Sequence, residues 1–151
     1  RSYSEQFYSA FIKGVLATGC NVIEVGMCLT PMLYYAQHYF NSKGGAMITA
    51  SHNPNGWTGV KLSNNLSYTL IGNEVQEIYN LCLTENFEKG DGKRQERDIR
   101  RQYIEMIQKK IQLKRKIKVE VECGNSKAGA FAPDVLRGAE VISISDTMGT
   151  P

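Results

Sequence analysis

The sequence predicts an α/β protein: a mixed, mostly parallel sheet covered by helices, followed by the beginning of a second α/β domain. Three observations carry that expectation. Segments with strand-like and helix-like apolar spacing alternate along the chain. One strand-like segment, "GGAMITA" at residues 44–50, is continuously apolar, as in a parallel sheet covered on both faces. A polar, glycine-containing stretch, "ENFEKGDGKRQERD", interrupts the alternation. The expected organisation is a first domain at residues 1–85, a linker at 86–97, and the start of a second domain at 98–151.

The elements follow in order. "SEQFYSAFIKGVLATG" places Phe7, Phe11, Ile12, Val15 and Leu16 at helical spacing, with Ser4 as N-cap and Gly19 as stop. "NVIEVGM" reads as a strand. "TPMLYYAQHYF" is a helix capped by Thr30, with Pro31 at its first position. After "GGAMITA", "GVKLS" is a further short strand, and "NEVQEIYNLCLT" is a helix with Val75, Ile78, Tyr79 and Leu81 as its apolar positions. Beyond the linker come a helix, "IRRQYIEMIQKKI", a strand, "KIKVEVEC", a turn, "GNSKAG", a helix near 128–136, and a last strand, "AEVISIS".

Bulk properties narrow the function classes. A length of 151 residues accommodates one domain, or one domain and part of another. With 42% apolar and 22% charged residues the chain is an ordinary globular sequence. A net charge of +3 is too small to indicate a nucleic-acid partner. The Lys and Arg residues crowd between Lys89 and Lys118, where a solvated helix face accounts for them. Cys20, Cys28, Cys82 and Cys123 form no C-x-x-C pair, which suits reduced core thiols and a cytoplasmic protein. No apolar run reaches the roughly 18 residues that span a bilayer, and no signal peptide is expected. The chain opens on Arg1 and closes on Pro151, and is expected to be a piece of a longer protein.

The chemistry gathers in "MITASHNPNGWTGVK" at residues 47–61. In open parallel sheets, ligands bind beyond the carboxyl ends of the strands, and the strand ending at Ala50 delivers Ser51 to such a place. Pro54, Gly56 and Gly59 tighten the following loop and let its backbone approach a ligand. Successive N–H groups in such a turn make an anion-binding concavity. His52 adds a titratable group and Lys61 a fixed charge, a setting that suits phosphoryl transfer, which depends on positioning and charge stabilisation. Taken alone, a serine in a polar loop serves more often as a cap or turn residue, and a lone histidine more often as a hydrogen-bonded loop residue. The loop is neither a P-loop nor a G-x-S-x-G elbow.

"TASHNP" followed by G-x-K resembles the phosphoserine loop of the phosphohexomutases, the phosphoglucomutase and phosphomannomutase family. "VIEVGMCLTPMLYYA" resembles the segment that precedes this loop, "RSYS" the tail of a G-R-D-x-R-x-S stretch, and "KVEVECGNSKAGAFAPDVL" the opening of the family's second domain. The resemblance implies that Ser51 carries the phosphoryl group, and that His52 and Lys61 beside it assist proton movement and charge neutralisation. Asn53 and Pro54 would shape the turn. Arg1, Thr49 and Asn53 would bind substrate or its phosphate. It also implies a hexose phosphate substrate whose phosphate moves between the 1 and 6 positions through a hexose 1,6-bisphosphate that doubles as activator. A Mg²⁺ ion would contact the Ser51 phosphate and an aspartate triad.

The chain departs from the family pattern in several places. The triad segment D-G-D-x-D-R and the Y-D-x-R-G loop are absent, as are the sugar-binding and second phosphate-binding loops. "NGWTG" replaces x-x-Y-N-G, and Trp57 and Thr58 thereby alter the loop's surface. Ser126 stands where glycine is usual, so a positive φ there would be strained. Glu122, where Asp is usual, reads as structural. Thr49 favours the glucose or mannose branch over phosphoglucosamine mutase, whose loop reads S-A-S-H-N-P. A non-catalytic sugar-phosphate-binding module is the remaining alternative. Neither a membrane nor a nucleic-acid partner is expected, and the sequence fixes no oligomeric state.

Overall fold

The computed structural model of the chain describes residues 4–51, 53–54, 56–124 and 126–145. The helices are α1 (Ser4–Ala17), α2 (Thr30–Tyr39), α3 (Asn73–Thr84), α4 (Arg100–Lys110) and the single turn α5 (Ala132–Val135). The strands are β1 (Val22–Glu24), β2 (Gly44–Thr49), β3 (Gly59–Asn64), β4 (Tyr68–Thr69), β5 (Arg94–Glu96), β6 (Lys118–Glu122) and β7 (Glu140–Ile144). The chain is α/β, with parallel and antiparallel pairings. It divides into two compact units, residues 1–26 with 33–97, and residues 27–32 with 98–151.

In the first unit, α1 buries Ile12 and stops where Gly19 turns left-handed at φ 86. Its Tyr8 and the Arg94 of β5 both donate to the Glu24 carboxylate of β1, with Arg94 Nη2 at 3.0 Å from Oε2. Glu24 is buried. The hydrogen bond from Arg94 holds its carboxyl below the ordinary carboxylate range; burial acts in the opposite direction and the Tyr8 hydroxyl adds to the lowering. Burial, followed by the hydrogen bond to Glu24, pushes the Tyr8 phenol up to about 12. α2 buries Met32, Leu33, Ala36 and Gln37.

Two features of the first unit differ from the sequence-based expectation. β2 is not a parallel strand covered on both faces. It pairs antiparallel with β3, from Gly44 opposite Asn64 to Thr49 opposite Gly59, and residues 45–49 are only half-buried. The cause is the connection: residues 50–58 are too few for the crossover that a parallel neighbour needs. β4 extends the same sheet, antiparallel to β3.

The second difference lies in the polar stretch 86–97, where Arg94–Glu96 form β5 and pair in parallel with β1, Val22 opposite Arg94. Its glycines serve close approach. Gly90 N–H donates to Ala17 O at 2.8 Å and Gly92 N–H to Leu16 O at 2.9 Å. A Cβ on Gly92 would lie 2.0 Å from the Cys20 carbonyl oxygen, and one on Gly90 2.5 Å from Gly19 Cα.

In the second unit, β6 and β7 are parallel, with Lys118 opposite Glu140 and Glu122 opposite Ile144. A 3₁₀ turn (Lys127–Ala130) and α5 connect them, in place of the single helix expected near 128–136. Pro133 lacks an N–H and clashes with a preceding helical turn, so it begins a new helix. Ile99 and Phe131 are buried here, and the Arg100 guanidinium lies 5.0 Å from the Phe131 ring centroid while reaching Asp134 at 2.8 Å. Glu122 accepts from Gly124 N–H at 2.7 Å, in keeping with its structural reading. The strain expected at Ser126 does not arise: its φ is −100°, the positive φ falls on Gly124, and its hydroxyl donates to Cys123 O at 2.6 Å. Among the described residues, no helix is long and apolar enough to cross a membrane.

Candidate active site

The β2–β3 ladder leads directly to the serine turn. Its last rung pairs Thr49 with Gly59, and the strands approach closely there: a Cβ on Gly59 would lie 3.3 Å from Thr49 O. Ala50 is buried. Ser51, exposed, then takes φ 49. A left-handed conformation costs an L-residue roughly 1–2 kcal/mol, so contacts around it must hold it. Ser51 N–H donates to Thr49 Oγ1 at 3.2 Å. Asn53 N–H donates to Ala50 O at 3.0 Å and closes the turn beneath the serine. Gly56, at φ 92, and the bond from Trp57 N–H to Pro54 O at 3.3 Å carry the chain back toward β3. The Trp57 side chain is exposed. The Thr58 hydroxyl, in contrast, is buried and has no hydrogen-bond partner among the described residues.

β3 returns Lys61 to the rung opposite Met47. Cross-strand partners share a face, so Lys61 lies on the face that carries Thr49, at a diagonal Cβ separation of roughly 7–8 Å. Lys61 is exposed. The structure thus brings Thr49, Ser51 and Asn53 together at one turn and sets Lys61 two rungs down the hairpin. Arg1 and His52 lie outside the described residues. The contact that sequence reasoning missed is the Thr49 hydroxyl on the Ser51 amide. Its signal was the T-x-S spacing, since Thr side chains accept from the N–H two residues on.

Among the described residues, no three His, Cys, Asp or Glu side chains gather closely enough to hold a metal ion. By themselves, therefore, they do not fit a Mg²⁺ site. Neither of two surface concavities is lined by residues of the serine turn. One, against α4 and α5, is lined by Arg100, Arg101, Glu105, Asp134 and Arg137, among others, and two of its arginines are tied to Asp134 and Glu105. The other adjoins Tyr8 and Arg94.

An α/β domain that offers a serine hydroxyl on a left-handed turn past a strand end is suited to group transfer. Residues 1–89 match the family described as phosphoglucomutase/phosphomannomutase, alpha/beta/alpha domain I. The chain belongs to the phosphoglucomutase/phosphomannomutase family. It is 36% identical over 135 residues to a phosphomannomutase/phosphoglucomutase of Pseudomonas putida, covering 88% of this chain and 29% of that protein. It is 32% identical over 153 residues to a probable phosphoglucosamine mutase of Pyrococcus abyssi, covering 96% and 34%. A crystal structure of a phosphoglucomutase/phosphomannomutase family protein from Burkholderia thailandensis superposes with a TM-score of 0.84 at 27% identity, over 96% of this chain and 34% of that one. The chain thus spans about a third of the length of the relatives it matches.

Proposed function

We propose that the full-length protein carrying this chain interconverts hexose 1-phosphate and hexose 6-phosphate, of glucose, mannose or both, with Ser51 as the phosphoryl carrier. The observation that carries the reading is the serine turn itself: an exposed hydroxyl on a left-handed residue, amide-tethered to Thr49, at the end of a strand in a domain of this family. Phosphorylated Ser51 gives its phosphoryl group to the free hydroxyl of a hexose phosphate. The P–O bond to serine breaks as one to the sugar forms, and the sugar's proton leaves to a base; His52 is the proposed base. A hexose 1,6-bisphosphate results, which also serves as activator. Returning its other phosphoryl group to Ser51 completes the exchange. Lys61 supplies positive charge on the same face, and Arg1 and Asn53 contact the substrate phosphate.

Mg²⁺ is proposed as cofactor, contacting this chain through the Ser51 phosphate and held otherwise by carboxylates that the described residues do not group. It would neutralise charge on the transferring group. A cytoplasmic location is proposed and is supported by the four free cysteines. The similarity to the Pyrococcus abyssi protein supports a second reading, in which the hexose phosphate is a glucosamine phosphate.

The test is steady-state conversion of glucose, mannose and glucosamine phosphates by the full-length protein with Mg²⁺ and the matching bisphosphate. Ser51→Ala is expected to lower turnover about a thousandfold or more, with fragmentation of the phosphopeptide by mass spectrometry locating phosphate on Ser51 in the unmodified protein. Lys61→Met is expected to lower turnover roughly a hundredfold. Unchanged turnover in the Ser51 variant, with phosphate elsewhere, rejects the reading.

A further inference from the structure

We propose that Thr49 is the positioning residue of the phosphoryl carrier: its hydroxyl oxygen, by accepting from the Ser51 amide, locks the serine in the left-handed conformation that aims it at substrate. The inference rests on the phosphoserine reading above and adds to it a residue whose role is mechanical.

Three observations support it. Ser51 occupies a backbone region, φ 49, that L side chains rarely adopt, so its geometry depends on a restraint. One such restraint is the hydrogen bond from Ser51 N–H to Thr49 Oγ1 at 3.2 Å. Thr49 is itself fixed, because its backbone closes the last rung of a six-rung ladder against Gly59, where a Cβ would lie 3.3 Å from the Thr49 carbonyl oxygen. The Thr49 hydroxyl therefore links the hairpin to the backbone of the reacting residue. A rotation about the Ala50–Ser51 segment would move Oγ relative to anything bound above the turn, and a displacement near 1 Å is enough to cost about a hundredfold in rate. Because Thr49 acts on the backbone of Ser51, its effect belongs in the rate of phosphoryl transfer and not in the affinity for hexose phosphate.

The experiment uses the full-length protein. Thr49→Val keeps the β-branched shape that suits a strand and deletes the acceptor; Thr49→Ser keeps the acceptor. Two readouts are taken: kcat and KM for hexose phosphate, and the rate at which hexose 1,6-bisphosphate loads phosphate onto Ser51, followed by intact mass. The expected result is a fall of at least about tenfold in kcat and in loading rate for T49V, with KM within about threefold, and recovery in T49S to within about threefold of the unmodified protein. The proposal is overturned if T49V keeps kcat within twofold while only its thermal midpoint drops, since that is a structural role alone. It is also overturned if KM rises with kcat unchanged, which would make Thr49 a substrate contact, or if T49S is as impaired as T49V. Should T49V not fold, T49A carries the same comparison. Ser51→Ala is run alongside: full turnover there removes the phosphoserine reading itself, an outcome separate from any behaviour of the Thr49 variants.

Discussion

Glu24 is a carboxylate in a place that disfavours its charge, and it stays charged because of what touches it. It is buried, yet its carboxyl is held low, chiefly by Arg94, with Tyr8 contributing. A depressed carboxylate stabilises the fold fully above its unfolded value of about 4.5, and that contribution is lost as pH falls through the lower folded value. Tyr8 works at the other end. Its phenol is raised from 10.0 to about 12, so its contribution is complete below pH 10 and is lost as pH rises toward 12. Glu24→Gln in the full-length protein is therefore expected to lower the thermal midpoint by several degrees at neutral pH, with the gap to the unmodified protein narrowing below about pH 4.5. Scanning-calorimetry melts across pH check this, and a gap that is constant down to pH 2 contradicts it. The sequence offered no sign of this network. Glu24 sits inside an apolar strand pattern, Tyr8 falls between the apolar positions of its helix, and Arg94 lies 70 residues from Glu24, so only the fold shows that they meet. The serine turn was legible because its residues are contiguous and their resemblance specific. The Thr49 tether was not, because T-x-S spacing is common and gains meaning only once φ at Ser51 is known.

At the scale of elements, α3 was legible to the residue: the expected segment "NEVQEIYNLCLT" is the observed helix, since apolar spacing and polar flanks agree there. β5 was not. Its residues Arg94, Gln95 and Glu96 are all exposed, so no alternation of apolar and polar positions marks it. Its pairing with β1 is set by backbone contacts that its neighbouring glycines permit. Glycine reads in a sequence as freedom; at Gly90 and Gly92 it is the absence of a side chain that matters, because backbone passes where a Cβ would stand. The two uses are indistinguishable from composition, and for that reason a polar stretch with two glycines looked like a linker throughout. The difference is measurable. Gly92→Ala must displace the Cys20 carbonyl or the β1–β5 pairing, and is expected to destabilise the unit by about 2–3 kcal/mol. A flexible linker would gain slightly from the same change, through lower unfolded-state entropy. Chemical denaturation of the two proteins decides by the sign alone: a Gly92→Ala protein as stable as the unmodified one returns 86–97 to the status of a tether.

The whole molecule limits what the serine turn can accomplish. Ser51 and Lys61 are exposed, while phosphoryl transfer to a sugar must exclude water to avoid hydrolysis of the phosphoserine. A bisphosphate that reorients between two transfers also needs its far phosphate held while the near one reacts. Among the described residues, no carboxylate cluster is arranged to hold a metal against the reacting oxygens, and the chain spans only 29–34% of the Pseudomonas putida and Pyrococcus abyssi relatives. In the proposed reaction this chain would supply the carrier and part of its charge neutralisation, and the rest of the full-length protein would supply enclosure, metal grip and the second phosphate grip. The purified 151-residue chain is accordingly expected to give no conversion of glucose 1-phosphate or mannose 1-phosphate, even with Mg²⁺ and the 1,6-bisphosphate supplied. The full-length protein under the same conditions should turn over at the roughly 1–1000 s⁻¹ usual for enzymes. A coupled dehydrogenase assay separates the two, with Ser51→Ala of the full-length protein as the blank. Turnover by the isolated chain above that blank would mean that the exposed hairpin and its turn hold substrate and exclude water unaided, and would overturn this division of labour.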